Sequence, residues 1–393
     1  MTTSRILLIS EGQLGDLLLL TPALRGLRSA FPDSHVTLLV VQRRTYASGG
    51  EAPPVLVVDP VRGTAAALRN LPYVDQVLEV SRQSLRALRG FPRLRAEWRI
   101  LRTIRSGRFT TAIACFPEDR FALWARASGA TCRVGQKRQH LQLLFSSRPD
   151  VTKEGVGVLR YYAALAGAAG AAVADERTEF PVSEEARLTA LMTLASHGIG
   201  RGEKFALIHP GASGLHRIWP PERFASVIDN LEKDRKILPV LCGTPYDRVA
   251  VEAVARRVPR PLRVITLGDS VEEFAALLGH AVFLLSNDSG PRHLAVAVGV
   301  PSVAIMPKHN ERAWGIYGEE NAIALTARGE CAGCPATRCL DERPEGEEFG
   351  SRCIRMVEVE EVLEAIERTM RRRATFAPPG TGRTSSGWPD RSS

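Results

Sequence analysis

Between residues 5 and 41 the chain changes its hydrophobic period twice. Arg5-Ile6-Leu7-Leu8-Ile9-Ser10 is a short, continuous apolar run, the signature of a strand buried on both faces. The turn Glu11-Gly12-Gln13-Leu14-Gly15-Asp16 follows. Apolar positions then recur at helical spacing from Leu17 to about Ala30, with Pro22 early enough to be tolerated in a first turn. Phe31-Pro32-Asp33 stops that pattern, and His35 to Val41 reads as the next strand. Strand, helix and strand of these lengths predict a βαβ unit on a parallel sheet.

The alternation continues. Val74 to Val80 and Phe109 to Cys115 are strand candidates, 49–68 reads as an insertion, and the Ala/Gly-rich stretch 156–174 predicts a helix closing a first domain. After Phe180-Pro181 the pattern starts again with a helix over Glu184–His197 and a strand, Phe205 to Ile208, entering His209-Pro210-Gly211. Helices over 221–232, 246–256, 271–278 and 291–298 alternate with strands over 237–242, 263–266, 282–286 and 302–306. A last helix is predicted from Glu358 to about Arg372. The fold class is therefore α/β, with two doubly wound, Rossmann-like domains at 1–179 and 180–372. The polar, Pro/Gly/Ser-rich end, 373–393, is expected to be disordered. Ligands in such sheets bind beyond the carboxyl ends of the strands, so the chemistry is sought there.

Composition narrows the function. With 44% hydrophobic and 24% charged residues the chain is globular. Only 6% of residues are aromatic, and no interleaved base-stacking pattern or known module points to nucleic acid. No run of 18 apolar residues occurs, so no bilayer span is expected. The N-terminus begins somewhat like a signal peptide, but Glu11 and Asp16 interrupt it, which points to a cytoplasmic protein. The formal charge of +9 favours an anionic partner. From Arg82 to Arg108 there are nine Arg and a single acid, Glu97. Leu94, Trp98 and Leu101 repeat there at helical spacing and are expected to anchor a helix whose other stripe is Arg95, Arg99 and Arg102. That stripe is either a solvated face or a surface for an anionic lipid acceptor or the inner membrane face.

Three strand-to-helix segments carry candidate chemistry. In Gly12-Gln13-Leu14-Gly15-Asp16, Asp16 either caps a helix or takes a proton from a hydroxyl. In His209-Pro210-Gly211-Ala212-Ser213-Gly214-Leu215-His216-Arg217-Ile218-Trp219, small residues and Arg217 suit a phosphate, the plainer reading being a surface loop anchored by Trp219. In Ser286-Asn287-Asp288-Ser289-Gly290-Pro291-Arg292-His293, Asp288 and Ser289 are caps or ligand contacts, and His293 lies one turn into the helix. Cys331, Cys334, Cys339 and Cys353 form a C-x2-C-x4-C-x13-C pattern that offers four ligands to Zn²⁺ or another thiophilic ion, or stays as thiols. No Asp-x-Asp occurs, so the common acidic clamp for a catalytic metal is missing from the sequence.

The stretches ILLISEGQLGDLLLLTPALRGLRSAFPDSHVTLLV, LPYVDQVLEV, FALIHPGASGLHRIWPPERFASVI, LLSNDSGPRHLAVAVGVPSVAI and the Cys-rich end resemble the bacterial heptosyltransferases of glycosyltransferase family 9. The resemblance spans most of 5–370, with 49–68 and the tail outside it. It implies a GT-B fold, two Rossmann-like domains facing a cleft, and no cofactor or catalytic metal. It also implies an inverting transfer of a heptose or similar sugar from ADP-heptose to a lipopolysaccharide-core or related glycan. Asp16, beside Gly15, then resembles the general base. Arg217, with Ser213, stands where the family usually has a phosphate-contacting Lys. Asp247 resembles the acid that meets the donor ribose, and Asp288 the acid that meets the donor sugar, with Ser289, Gly290 and His293 at its helix N-terminus. Ser10-Glu11-Gly12 departs from the basic residue many members carry after the first strand. The competing readings are a nucleotide-sugar epimerase of related architecture and a non-catalytic nucleotide-sugar-binding relative.

Overall fold

Two sheets, parallel except for one edge strand, organise the chain. A computed structural model describes residues 4–42, 55–58, 68–137, 139–315, 322–328 and 348–375. The chain divides into two compact units, Met1–Pro181 and Val182–Ser393.

The first unit carries a sheet in the order β3-β4-β2-β1-β5-β6. Its strands are β1 (Arg5–Glu11), β2 (His35–Gln42), β3 (Leu56–Val58), β4 (Gln76–Ser81), β5 (Thr111–Ala114) and β6 (Cys132–Val134). All pairings are parallel except β3 with β4. β3 lies inside the predicted insertion; its antiparallel pairing with β4 places it on the edge of the sheet. β1 sits between β2 and β5, so the strand order reverses beside it. Its register sets Ile6 against Val36 on one side and Thr111 on the other. Ile6, Leu7 and Ile9 are completely buried, as a strand covered on both faces requires.

The single helix predicted from Leu17 is in fact two, Leu14–Leu19 and Thr21–Ala30, meeting at Leu20. Pro22 stands in the first turn of the second, where its missing N–H costs nothing. The helix expected over 156–174 is likewise shorter, Val158–Ala168, and a separate turn, Lys153–Val156, precedes it. Gly157 joins the two at φ 84°, a left-handed value that suits glycine.

The helix Gly90–Ser106 corrects two of the three expected anchors, Leu94 and Trp98, while Leu101 is half-buried and packs against the core. Its buried residues are Ile100 and Ile104, while Leu94 is 68% and Trp98 57% exposed, with Phe91 at 76%. Ile100 and Ile104 are also four apart, so the segment carries two apolar stripes, and the one that packs on the sheet is the β-branched pair. Arg95, Arg99 and Arg102 are exposed as expected.

The second unit carries a sheet in the order β12-β11-β10-β7-β8-β9. Its strands are β7 (Phe205–His209), β8 (Leu238–Gly243), β9 (Arg263–Thr266), β10 (Leu284–Asn287), β11 (Ser302–Ile305) and β12 (Ala322–Leu325), all parallel. Here the order reverses between β7 and β10, and His209 and Asn287 are the last residues of those strands. The closing helix runs Val359–Thr375, three residues beyond the expected end. Trp219, Phe224, Phe283 and Ile366 are fully buried in this unit's core. Among the described residues no helix is long and apolar enough to cross a membrane. Cys331, Cys334, Cys339, residues 49–54 and 59–67 and the tail from 376 lie outside the described residues.

Candidate active site

At the reversal point of the first sheet, β1 ends in Glu11 and the chain turns through Gly12. A Cβ on Gly12 would stand 2.5 Å from Gln42 Oε1 and 2.7 Å from Val40 Cγ1, so only glycine lets the turn lie this close to β2. The helix Leu14–Leu19 starts there and carries Gly15 and Asp16, both buried. Asp16 is 2% exposed. Its Oδ1 accepts a hydrogen bond from the Tyr162 hydroxyl at 3.0 Å and lies 3.6 Å from Lys153 Nζ. Lys153 in turn rests on the Phe116 ring, 3.1 Å from its centroid.

Beside this pair lies a second one. Glu11 is completely buried and faces Arg82 at 3.4 Å, and Arg82 also donates to both Glu118 oxygens at 2.6 and 2.7 Å. Burial pulls the Lys153 pKa below its ordinary value, against the opposing pull of Asp16 and Glu11. Burial pushes the Tyr162 hydroxyl well up, helped by Asp16, so it remains a donor. Cys115 is pushed up to about 12 by burial and stays a thiol. Sequence reasoning did not single out Lys153, Tyr162 or Arg82 as partners of these acids. The Lys and Tyr lie far down the chain, and no local spacing relates them to Asp16.

In the second unit the reversal point is built from three loops. Asn287, fully buried, accepts from the Trp219 backbone N–H at 3.0 Å and donates to Pro210 O at 2.7 Å. It thereby ties the end of β10 to both ends of the loop after β7. Trp219 Nε1 donates to Val357 O at 2.9 Å, which fastens the same loop to the closing segment. Arg217 is thus delivered to Asp288. Its Nη2 lies 2.5 Å from Asp288 Oδ2 and 3.1 Å from Asp288 O, and Nη1 is 3.0 Å from Ser213 Oγ. Arg217 Nε is buried without a hydrogen-bond partner among the described residues.

Arg292 Nε also forms an ion pair with Asp288 Oδ1 at 2.8 Å, and Asn310 Nδ2 donates to Oδ2 at 2.6 Å. Burial pushes its carboxyl up, but Arg292, Arg217 and Asn310 together outweigh that and hold it below the usual carboxylate range. Ser289 begins the helix Gly290–Ala297, and its hydroxyl donates to Asn287 O at 3.3 Å rather than capping. His293 is buried one turn in, edge-on to Trp314, and burial drives its pKa well down, so it is a neutral imidazole.

Asp247 belongs to a neighbouring cluster at the end of β8. Its Oδ2 accepts from Thr244 N at 2.9 Å and Thr244 Oγ1 at 2.7 Å, and lies 3.4 Å from His209 Nε2. Burial raises its pKa, but His209 and Thr244 reverse the sign and leave it lowered. A Cβ on Gly211 would collide with the Asp247 carboxylate at 1.9 Å, so the glycine lets the loop after β7 pass beside it. The structure therefore joins Ser213, Arg217, Asp288, Ser289, Gly290 and His293 in one cluster with Asp247 alongside, while Gly15 and Asp16 form the other unit's cluster. Asn287, Arg292 and Asn310 were missed as site residues. The only available signal was that Asn287 and Arg292 lie within the quoted NDSGPRH stretch.

No group of three or more potential metal-binding side chains occurs among the described residues. Cys353, the described member of the Cys pattern, is buried near Ser351 Oγ at 3.6 Å.

Residues 97–342 match the model of glycosyltransferase family 9 (heptosyltransferase), which is more than half of the chain. The chain belongs to that family. It is accordingly a glycosyltransferase, and its two parallel-sheet units are those of the GT-B fold. It is 22% identical over 361 residues to lipopolysaccharide heptosyltransferase 3 of Escherichia coli K12, covering 91% of this chain and 95% of that one. Among solved structures it is similar to a family 9 glycosyl transferase from Veillonella parvula, at TM-score 0.71 and 22% identity over 94% and 97% of the two chains. It is also similar to the E. coli heptosyltransferase WaaC solved with ADP, at TM-score 0.66 and 17% identity over 93% and 99%.

Proposed function

We propose that this chain transfers a heptose or similar sugar from ADP-heptose to a lipopolysaccharide-core or related glycan acceptor, by a metal-independent displacement that inverts the anomeric centre. The observation that carries the reading is the complementary chemistry of the two strand-end clusters in a family 9 chain. One centres on a buried carboxylate, the other on an arginine beside a helix N-terminus. The relatives named for lipopolysaccharide heptosyl transfer, and the one solved with ADP, support the donor and acceptor classes.

The first unit serves the acceptor and the second the donor. Asp16 takes the proton of the acceptor hydroxyl while that oxygen bonds to the anomeric carbon. The bond from that carbon to the diphosphate oxygen breaks, and its electron pair leaves with ADP. Attack opposite the leaving group inverts the centre, as in inverting hydrolysis. Arg217, steadied by Ser213, and the N-terminus of the helix Gly290–Ala297, at Ser289 and Gly290, meet the charge that develops on the phosphate. This supplies in side-chain form what an acidic motif would otherwise recruit a metal to do. Asp247 meets the ribose, Asp288 meets sugar hydroxyls, and neutral His293 packs against Trp314 one turn into the helix Gly290–Ala297. The four cysteines, where they hold a metal, hold it structurally.

The same reading includes peripheral contact with the inner face of the cytoplasmic membrane, where such an acceptor is anchored. The helix Gly90–Ser106 supports it by presenting Phe91, Leu94 and Trp98 to solvent beside Arg95, Arg99 and Arg102, the last 5.2 Å from the Trp98 ring. Aromatic and leucine side chains flanked by arginine suit an anionic interface.

The test is an assay of purified protein with ADP-heptose and a lipopolysaccharide-core acceptor, with product configuration read by NMR. Acceptor-dependent ADP release, an inverted product and full activity in EDTA are expected. ADP release without acceptor, or activity lost on chelation and restored by Mg²⁺ or Mn²⁺, would refute it.

A further inference from the structure

A base buried this deeply has an electrostatic problem. Removing a carboxylate from water favours its neutral form, and a protonated Asp16 has no place for the acceptor's proton. We propose that Lys153 is the positioning residue that solves this: it keeps Asp16 ionised and, with Tyr162, aims its carboxylate. The proposal rests on Asp16 acting as the base, as read above.

The placement of Lys153 is built rather than incidental. Thr152 caps the turn Lys153–Val156 by accepting from Gly155 N at 3.1 Å. Gly157, in its left-handed conformation, then sends the chain straight into the helix that bears Tyr161 and Tyr162. The ammonium consequently lies over an aromatic floor, 3.1 Å from the Phe116 centroid, 5.7 Å from that of Tyr161 and 5.3 Å from that of Tyr162. Ring faces stabilise a cation without neutralising it, so its charge remains directed at the carboxylate 3.6 Å away. Only 12% of the Lys153 side chain is exposed, so water does little to screen the pair.

Among the described residues, the other titratable groups around the pair do not replace it. Arg82 is engaged by Glu118 and Glu11. Glu11 attracts Lys153 as well and helps it stay protonated against burial. Cys115, Tyr161 and Tyr162 are all pushed upward by burial and remain neutral. Tyr162 adds a directional bond to Asp16 Oδ1. The cation fixes the charge and the phenol fixes the orientation.

The experiment reads Asp16 directly. The ¹³C carboxyl resonance of Asp16, assigned by its loss in Asp16→Asn, is titrated in the parent, Lys153→Met, Lys153→Arg and Tyr162→Phe, and kcat is measured across the same pH range. In Lys153→Met the Asp16 titration moves up by about 1–3 pH units, the shift an opposite charge at this range produces. The acid limb of kcat moves with it, and the donor KM stays at the parent value because the donor cluster belongs to the other unit. Lys153→Arg restores both curves, which separates lost charge from damaged folding. Tyr162→Phe, with the cation retained, moves the titration less than Lys153→Met. An Asp16 titration in Lys153→Met that superimposes on the parent's overturns the proposal. A moved Asp16 titration with an unmoved rate profile upholds the pairing and overturns the reading of Asp16 as base, so the two failures are distinct.

Discussion

The two strand-end clusters are charge inverses of each other. In the first unit a carboxylate, Asp16, is answered by a lysine; in the second a guanidinium, Arg217, is answered by a carboxylate, Asp288. Their exposure differs, and the difference has a chemical reason. The Asp16 side chain is 2% exposed, the Arg217 side chain 22%. In the proposed mechanism a base must already be ionised when the acceptor arrives, and the buried Lys153 counter-charge suits that role. Arg217 keeps a partly open face and an Nε with no hydrogen-bond partner among the described residues, which suits the partner exchange the proposed phosphate clamp requires. If Nη2 turns to the diphosphate, as the proposed mechanism requires, Asp288 still has Arg292 and Asn310 as partners. The proposed mechanism assigns proton transfer to the dry pair and partner exchange to the more open one.

The largest expected effect breaks the first side of this contrast. Asp16→Asn lowers kcat by about 10²–10⁴, while calorimetric ADP binding is unchanged. Turnover near the parent rate in that variant would reduce Asp16 to a structural residue of its helix. Next comes the exchangeable side. Arg217→Ala weakens ADP binding by about 10- to 100-fold, the value of a charge-assisted contact of about 1.5–3 kcal/mol. Arg217→Lys retains part of this because the charge survives and the fork does not. Equal ADP affinity in all three proteins would remove Arg217 from the donor site.

A smaller effect is on pH stability and sharpens the contrast. Asp288 is held below the usual carboxylate range, so the unfolded chain binds its proton first as pH falls. Its contribution is complete above the ordinary carboxylate pKa and is lost as pH drops through the lower folded value. Asp288→Asn should flatten that acid-side slope in thermal melts between about pH 5 and 2; an unaltered slope would mean that Asp288 does not carry it. The smallest effect concerns the exposed helix of the first unit. Replacing Arg95, Arg99 and Arg102 by Gln weakens binding to anionic vesicles by about 1 kcal/mol per residue at low salt, and less at high salt. Identical vesicle binding by parent and variant at low salt would return that helix to an ordinary solvated face.

The strands and their alternation with helices were legible because a parallel sheet buries both faces and writes continuous apolar runs, as β1, β2, β7 and β10 do. What escaped was short or compensated. β6 has Arg133 between Cys132 and Val134, and β12 is four residues whose sides are only partly buried. The helix Asp119–Ala127 has small residues between its large ones, which blurs its period. In the helix Gly90–Ser106 two apolar stripes share one periodicity, and sequence spacing alone cannot say which is inside. Asp16, Arg217 and Asp288 were legible because they stand at strand-to-helix turns. Their partners were not. Tyr162 is 146 residues from Asp16 and Asp288 is 71 residues from Arg217, and pairings across such spans are fixed by sheet order rather than by any local pattern.

The most direct measurement is ADP release from ADP-heptose by the parent protein and Asp16→Asn, each with and without a lipopolysaccharide-core acceptor. The account predicts release that requires the acceptor in the parent and nearly vanishes in the variant, with ADP-heptose binding equal in both. Release independent of acceptor, or undiminished in Asp16→Asn, would contradict it.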